Sequence, residues 1–507
     1  MPQKQTILLI FLLLLTSTSL IQTNQFKPEQ TAATLTSQTA KIHNLNTRLN
    51  YTTIQEAIND TKTLNGHTIL AEAGTYYENI LINKAITLEG EDKSRTVIHG
   101  SGIGPTVQIL TDNTSIFNFT IANSGNAIGD AGIKLTQAHD CTITGNNLKN
   151  NSNGIMLAYA ANNTIRENFI QNSTDSGISV YSSNDNTLNK NGVNDSGGYG
   201  IFLQNSTGCS ITENTITRSI DDGIAILNSH RNLVQCNVVT NGQAEGIRLD
   251  DPSNNNIITE NTVANNTDYG FWMWYSNNNT FTHNNCNNKK TVQIWTVPPV
   301  YDSVNKWDND YPSGGNYWSN YNGTDIYSGP HQNQTGSDGI GDTPYVIDDN
   351  NTDNYPLMGK FTSFTISDQP TRVISNCTIN SLHYFQMNNT IAINVSNSST
   401  TQTTGFCRIS IPKTLMQPPY TVKINNGLTE TLRLNSSIPN DSANGWIYFT
   451  YPTTTHAIAI TGTAPSTTPP LTIPIAIIIA VIIAAALFTG GLIYAKRLRQ
   501  RRRSVYN

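Results

Sequence analysis

Charge is the scarcest property of this chain. Only 13% of its 507 residues are Asp, Glu, Lys or Arg, against about 25% in ordinary soluble proteins. The net charge is −5, so there is no basic field for nucleic acid. Asn, Thr and Ser must form the surface instead. Long apolar runs are also few. Ile7 to Leu15 is too short to span a bilayer. With Lys4 before it and Thr16 to Ser19 after it, residues 1–22 read as a signal peptide. Only Leu471 to Ala495 is long enough to span, and Lys496, Arg497, Arg499 and Arg501 to Arg503 follow it at once. Basic flanks stay cytoplasmic. The expectation is a single-pass membrane protein with its bulk outside and residues 496–507 inside.

The middle of the chain lacks room for helices. From Cys141 to Cys286 it repeats with a period of about 23 residues. Glycines recur at Gly132, Gly154, Gly177, Gly200, Gly223, Gly246 and Gly270. Asparagines recur at Asn146, Asn168, Asn191, Asn214, Asn237, Asn261 and Asn284. Apolar residues two apart follow each glycine, as in Ile155 and Leu157 or Ile201 and Leu203. Others flank each asparagine, as Ile211 and Ile216 flank Asn214. That spacing marks short strands whose alternate side chains point inward. Each coil holds two or three such strands joined by Gly, Asn, Ser and Asp turns. A coil this short cannot bury a core alone, so the coils must stack into a solenoid of parallel strands.

Stacking gives the asparagines a structural task. Equivalent amides on successive coils can donate to and accept from one another. A second row, Asn163, Asn186, Asn232, Asn256 and Asn279, has Cys141 and Cys209 in its remaining places. Those two cysteines stand three coils apart, about 14 Å at 4.8 Å per coil, beyond disulfide reach. Sequons are dense, among them Asn113, Asn118, Asn162, Asn172, Asn205, Asn265, Asn278, Asn322, Asn388 and Asn435. On an exported chain each is a possible glycan acceptor, although Asn- and Thr-rich repeats also generate sequons by chance.

Composition divides the rest. Residues 23–50 read as a linker and 51–300 as the solenoid. Within it, Thr52 to Asp60 predicts a short amphipathic helix that covers the open first coil, with Thr53 and Glu56 as a capping box. Residues 301–360 form a closing segment. Residues 361–462 alternate as antiparallel strands, for example Phe361–Ile366, Thr390–Val395, Phe406–Ile411 and Trp446–Thr450, which predicts a small β-sandwich-like domain. Cys377 and Cys407 are a candidate disulfide within it. Residues 463–470 are a Pro/Thr linker before the transmembrane helix at 471–495.

These motifs carry a family resemblance. "TIQEAI" from Thr53, "GTYYENI" from Gly74 and "ITLEGEDKSRTVIHG" from Ile86 resemble the first coils of pectate-lyase-like right-handed β-helices. The repeats resemble NosD-type proteins, also described as CASH repeats. "WDNDYPSGGNYWSNY" from Trp307 and "GSDGIGDTPYVIDDNNTDNYPLM" from Gly336 are similar to the closing segment of NosD-like archaeal surface proteins. The resemblance covers about residues 50 to 360. It implies an all-β chain: a right-handed parallel β-helix, then the β-sandwich-like domain and the single C-terminal transmembrane helix.

Four functional readings follow. Asp221-Asp222-Gly223 resembles the paired aspartates of polygalacturonases, and Gly246 to Leu249 part of their basic motif, which makes Asp221, Asp222 and Arg248 catalytic candidates. The Gly-His-Gly element expected between them is missing; only His230 is nearby. Copper, which the NosD resemblance brings to mind, needs clustered ligands. His139 and His230 lie four coils apart, and Cys236 and His283 two, so neither pair can grip one ion. Asp308, Asp310, Asp338 and Asp342 are calcium candidates through their oxygens, and no other cofactor is expected. Finally, Arg248, Asp250, Trp272 and Trp274 come from consecutive coils and point outward, a pattern suited to glycans. The alternative for the tryptophans is burial under the Val292–Trp318 segment. The expectation is a surface protein contacting glycans or envelope polysaccharide without catalysis. A polysaccharide hydrolase, lyase or epimerase is the alternative, and a structural stalk the third.

Overall fold

The computed structural model describes residues 42–290, 294–296, 303–397, 402–425, 442–452 and 456–465. The expected signal peptide, Pro/Thr linker and membrane-spanning segment lie outside these residues, apart from Thr463 to Pro465. No helix among the described residues is long and apolar enough to cross a membrane.

The repeats wind into a solenoid with three long sheets of twelve, eleven and ten strands. One coil shows the plan. Asn153–Ala158 lies in the third sheet, Thr164–Arg166 in the first and Phe169–Gln171 in the second. Each pairs in parallel, in register, with its equivalent one coil on: Ile155 with Ile178, Ile165 with Leu188, Ile170 with Val193. The apolar columns are fully buried and form one continuous core. Corners turn on single residues in the left-handed region, such as Tyr159, Asn162, Glu167 and Asn172, where asparagine is tolerated best after glycine. Sequon acceptors Asn113, Asn162, Asn172, Asn205, Asn265 and Asn278 all occupy such corners and are exposed.

Both asparagine rows are hydrogen-bonded ladders. Asn214 Nδ2 donates to Asn237 Oδ1 at 3.0 Å and to the Leu188 carbonyl at 2.8 Å, while its Oδ1 accepts from Asn191 Nδ2 at 3.0 Å. The first ladder runs past Asn284 onto Asn316, and the second past Asn279 onto Asn305. A serine ladder, not anticipated from the sequence, lies beside them. Ser206, Ser229, Ser253 and Ser276 each accept, through Oγ, the backbone N–H of the preceding coil. Buried amides left unpaired cost about 1–3 kcal/mol each. Asn214→Leu is therefore expected to destabilise the chain by that amount, and Thr217→Lys on the outer face by much less. Equal melting temperatures would contradict the ladder.

Both ends are closed. Helix α1, Ile54–Asn59, buries Ile54, Ala57 and Ile58 over the first coil, and Thr53 Oγ1 accepts from Glu56 N at 3.1 Å. Two antiparallel strands, Ile42–Asn44 and Leu49–Tyr51, extend the first sheet beyond Thr68–Ala71. Residues 23–50 are thus not all linker. Ile42 enters the core, and buried Asn44 donates to Thr63 Oγ1 at 2.9 Å. At the far end Trp307 and Trp318 plug the core. Trp307 stacks on Phe281 (4.3 Å, 13°) and Trp318 on Tyr345 (5.0 Å, 12°). Their indole N–H groups donate to Asn351 Oδ1 and Asp353 Oδ2, each at 2.9 Å.

Beyond this plug, two four-stranded antiparallel sheets enclose a common core that includes Val373, Cys407, Ile409, Ile391, Ile393 and Ile460. Two of the strands, Gln369–Ser375 and Thr378–Phe385, escaped the sequence reading. Gln369–Ser375 carries Pro370 and Arg372, and its alternation is blurred. The cysteine pair is corrected too. Cys377 and Cys407 are separate thiols. Cys407 stands directly opposite Ser375, so Cys377 lies two residues beyond the pairing position.

Candidate functional site

The third sheet presents its outward residues at one and three places after each inward isoleucine. Register sets Ala225 beside Arg248 and Arg248 beside Trp272. Leu227 pairs with Asp250 in the same way. The corner before the sheet adds the residue preceding each column glycine: Tyr199, Asp222, Glu245 and Tyr269. These two rows make one continuous face.

Arg248 ties the face together. Its Nη2 and Nε lie 2.6 and 3.2 Å from Asp250 Oδ2. Its Nη1 lies 3.7 Å from Asp222 Oδ2. Its guanidinium sits 4.4 Å over the Trp272 ring, an attractive cation–π geometry. Trp272 and Trp274 meet edge to face at 6.3 Å and 79°. Trp272 is half-buried and Trp274 is 37% exposed. Asp250 is buried by its pairing. The structure thus brings the four expected residues together. Of the Val292–Trp318 segment, the Trp307 and Trp318 indoles lie in the core, Ile294–Thr296 pairs in parallel with Phe271–Met273, setting Trp295 beside Trp272 along the sheet, and residues 291–293 and 297–302 lie outside the described residues.

A second aromatic shelf went unnoticed in the sequence. Tyr199 stacks on Phe202 (4.7 Å, 13°), and Tyr181 meets Phe202 edge-on at 5.3 Å. Phe202 and Trp272 are three coils apart, about 14 Å at 4.8 Å per coil. Between the shelves lie the carboxylates. Asp222 is fully buried, its Oδ1 accepts from Glu245 N at 3.2 Å, and its Oδ2 has no hydrogen-bond donor. Burial first, then the Glu245 carboxylate, push its pKa up to about 8. Burial and the Asp221 and Asp222 charges raise Tyr199 to about 12. Glu245 and Tyr199 stand at the position before the column glycine, which elsewhere holds Ala131, Asn153 or Ser176.

The raised Asp222 pKa has a signed consequence. An acid whose folded pKa exceeds its unfolded value stabilises the fold fully below about pH 4, and loses that contribution as pH rises toward 8. Asp222→Asn is expected to flatten this part of the stability profile. Melting curves between pH 4 and 9 check it; an unchanged slope in the variant would contradict the assignment.

The remaining candidates serve turns. Asp308 accepts from Asp310 N and from both nitrogens of Asn354. Asp310 pairs with Lys306, and Asp338 with Arg408. Asp342 accepts from Thr324 Oγ1, Ile326 N and Tyr327 N. They do not converge as calcium ligands. Among the described residues no group of three His, Cys, Asp or Glu could hold a metal ion.

A parallel β-helix closed at both ends, with one aromatic and charged strip on its third sheet, defines the class of protein. The sequence model of NosD, described as a periplasmic copper-binding protein, matches residues 61–234 and 207–323. This is more than half of the chain, and the chain belongs to the NosD family. A cell surface glycoprotein of Methanothermus fervidus is 38% identical over 111 residues, 22% of this chain and 18% of that protein. The chain therefore matches less than a fifth of that relative's length. Among solved structures, the A-module of the Azotobacter vinelandii mannuronan C-5 epimerase AlgE4 shares 15% identity and a TM-score of 0.43, over 52% of this chain and 88% of that one. The alginate lyase of Paenibacillus sp. FPU-7 shares 15% at TM-score 0.38, over 53% and 95%. Tailspike protein 2 of Escherichia coli O157:H7 bacteriophage CAB120 shares 12% at 0.39, over 78% and 68%.

Among the described residues, the copper in the family's description finds no fitting centre. His139 and His230 each use Nδ1 to accept a backbone N–H, from Ala161 and Asn254. Burial holds the thiols of Cys141 and Cys209 up at about 11, far from the thiolate a soft metal needs.

Proposed function

We propose that this chain is a membrane-anchored cell-surface protein that binds glycans along the third sheet, without cleaving them. One observation carries the reading. Trp272 and Trp274 form an L-shaped aromatic platform, and Arg248 and Asp250 fix its charged edge in place. Sugar rings stack on such surfaces through their apolar faces, while neighbouring polar tips take the hydroxyls. The surface location rests on the short match to an archaeal surface glycoprotein, on the exposed sequons and on the expected signal and anchor segments. The anchor at Leu471 to Ala495 would leave the β-helix outside and the basic tail inside. Protease added to intact cells is expected to remove everything but the anchor and tail; a protected β-helix would overturn the location.

An enzyme on envelope polysaccharide is the second reading, favoured by Asp222. A carboxyl held neutral near pH 7 against a second carboxylate, with Asp221 at the surface beside it, resembles a general-acid arrangement. Asp222 itself has no exposed surface, so it would position Glu245 and Asp221 for the reaction. A glycan array probed with the full chain, scored for both retention and new reducing ends, separates the readings. Retention without cleavage is the expected result. Cleavage that Asp222→Asn abolishes would favour the enzyme, and neither signal would leave a structural stalk.

A further inference from the structure

The ligand's charge class follows from how the charges on this face are spent, and the inference rests on the glycan-binding reading. Arg248 is used on every side: its edges serve Asp250 and Asp222, and its plane lies on Trp272. Lys290, at the next corner along, pairs with Asp268 and lies 4.0 Å over the Tyr269 ring. Arg248 and Lys290 are therefore already matched to carboxylates, and Lys289 beside Lys290 turns its Nζ to Thr267 Oγ1.

The acids are in excess. Asp250 balances Arg248. Asp221 and Glu245 remain, half-exposed beside buried Asp222. Asp222 Oδ2 is itself buried, so the acceptors open to a ligand at the centre of the face are the half-exposed Asp221 and Glu245 carboxyls. A ligand that brings donors satisfies them. A ligand that brings a carboxylate adds like charge beside Asp221 and Glu245.

We propose that this strip selects uncharged or amino-bearing sugars and discriminates against uronates. The aromatic shelves on either side supply stacking that is indifferent to charge, and the acids between them supply the choice. The selection is electrostatic, so it weakens as salt rises, and more for half-exposed Asp221 and Glu245 than for buried Asp222.

The test uses the full chain and matched hexasaccharides that share one backbone, with glucose, glucosamine or glucuronic acid units joined by β-1,4 bonds, and a parallel α-1,4 set of galactose, galactosamine and galacturonic acid. Calorimetric titration at low salt is expected to show the uronate member of a bound set at least tenfold weaker than its neutral or amino partner. The gap should shrink severalfold at high salt, and severalfold in an Asp221→Asn/Glu245→Gln variant. Equal or tighter uronate binding, still abolished by Trp272→Ala, would overturn the charge selection while leaving the binding face intact. If no member of either set binds, the glycan reading fails and this inference falls with it.

Discussion

Replacing Trp318 by alanine is expected to lower stability by about 3–5 kcal/mol. The indole is buried in the last coil, stacked on Tyr345 and set edge-on to Phe271, and it donates to Asp353 Oδ2. Removing it opens a cavity at the end of a stacked array, where no further coil can collapse into the space. Asp353, whose pKa burial already raises to about 7, would lose one of its three N–H donors. Coils of a repeat protein contact only their neighbours, so the damage should be graded. Hydrogen exchange in Thr280–Thr282 and Asn285–Asn287 should accelerate most, and in Thr142–Thr144 least. A loss below about 1 kcal/mol, or uniform acceleration along the solenoid, would contradict the plug.

Arg408→Leu is expected to cost as much, by a different mechanism. Arg408 comes from the β-sandwich and reaches back into the closing segment. Its Nη1 donates to the Asp338 carbonyl at 2.6 Å and lies 3.5 Å from the Asp338 carboxylate, and its Nη2 donates to the Pro312 carbonyl. The guanidinium also faces the Trp446 and Tyr311 rings at 5.1 and 5.5 Å. Both members of the ion pair are fully buried. Removing one partner of such a pair costs about 3–5 kcal/mol, because the other charge is left unpaired in a low-dielectric site. Arg408→Leu combined with Asp338→Asn should recover much of the loss. Chemical denaturation of Arg408→Leu, Asp338→Asn and the double variant checks this; a double variant as unstable as Arg408→Leu would show that lost packing, not the orphaned charge, dominates.

The repeats were legible because the solenoid imposes the same demand on every coil. An inward isoleucine, a ladder asparagine and a corner glycine each recur at a fixed spacing, and the structure places them in register. Gly177 shows why the glycine recurs: a Cβ there would fall 2.2 Å from Val193 Cγ1 and 2.7 Å from the Gly200 carbonyl. The corners were harder to read. Ile116–Ile121 reads as one strand, yet it turns a corner at Asn118, whose φ is 64°. Ser115–Phe117 lies in the first sheet and Thr120–Ala122 in the second. The platform of Arg248, Asp250, Trp272 and Trp274 was legible because its members share outward positions on adjacent coils. The Tyr199–Phe202 shelf and Glu245 were not, because a corner residue and a strand residue come together only when the corner's direction is known. Trp307, Trp318 and Arg408 act across more than one element, and no periodicity reports such contacts.

The claim that the third sheet is a glycan-binding face is tested most directly by Trp272→Ala in the full chain, measuring glycan affinity and melting temperature on the same sample. Trp272 is half-buried, and its neighbours Arg248 and Asp250 keep their own ion pair without it. The expected result is loss of retention on every array glycan that binds the parent chain, with the melting temperature nearly unchanged. Full glycan affinity in the variant, or a loss of several kcal/mol of stability such as truncation of a core tryptophan produces, would contradict the account.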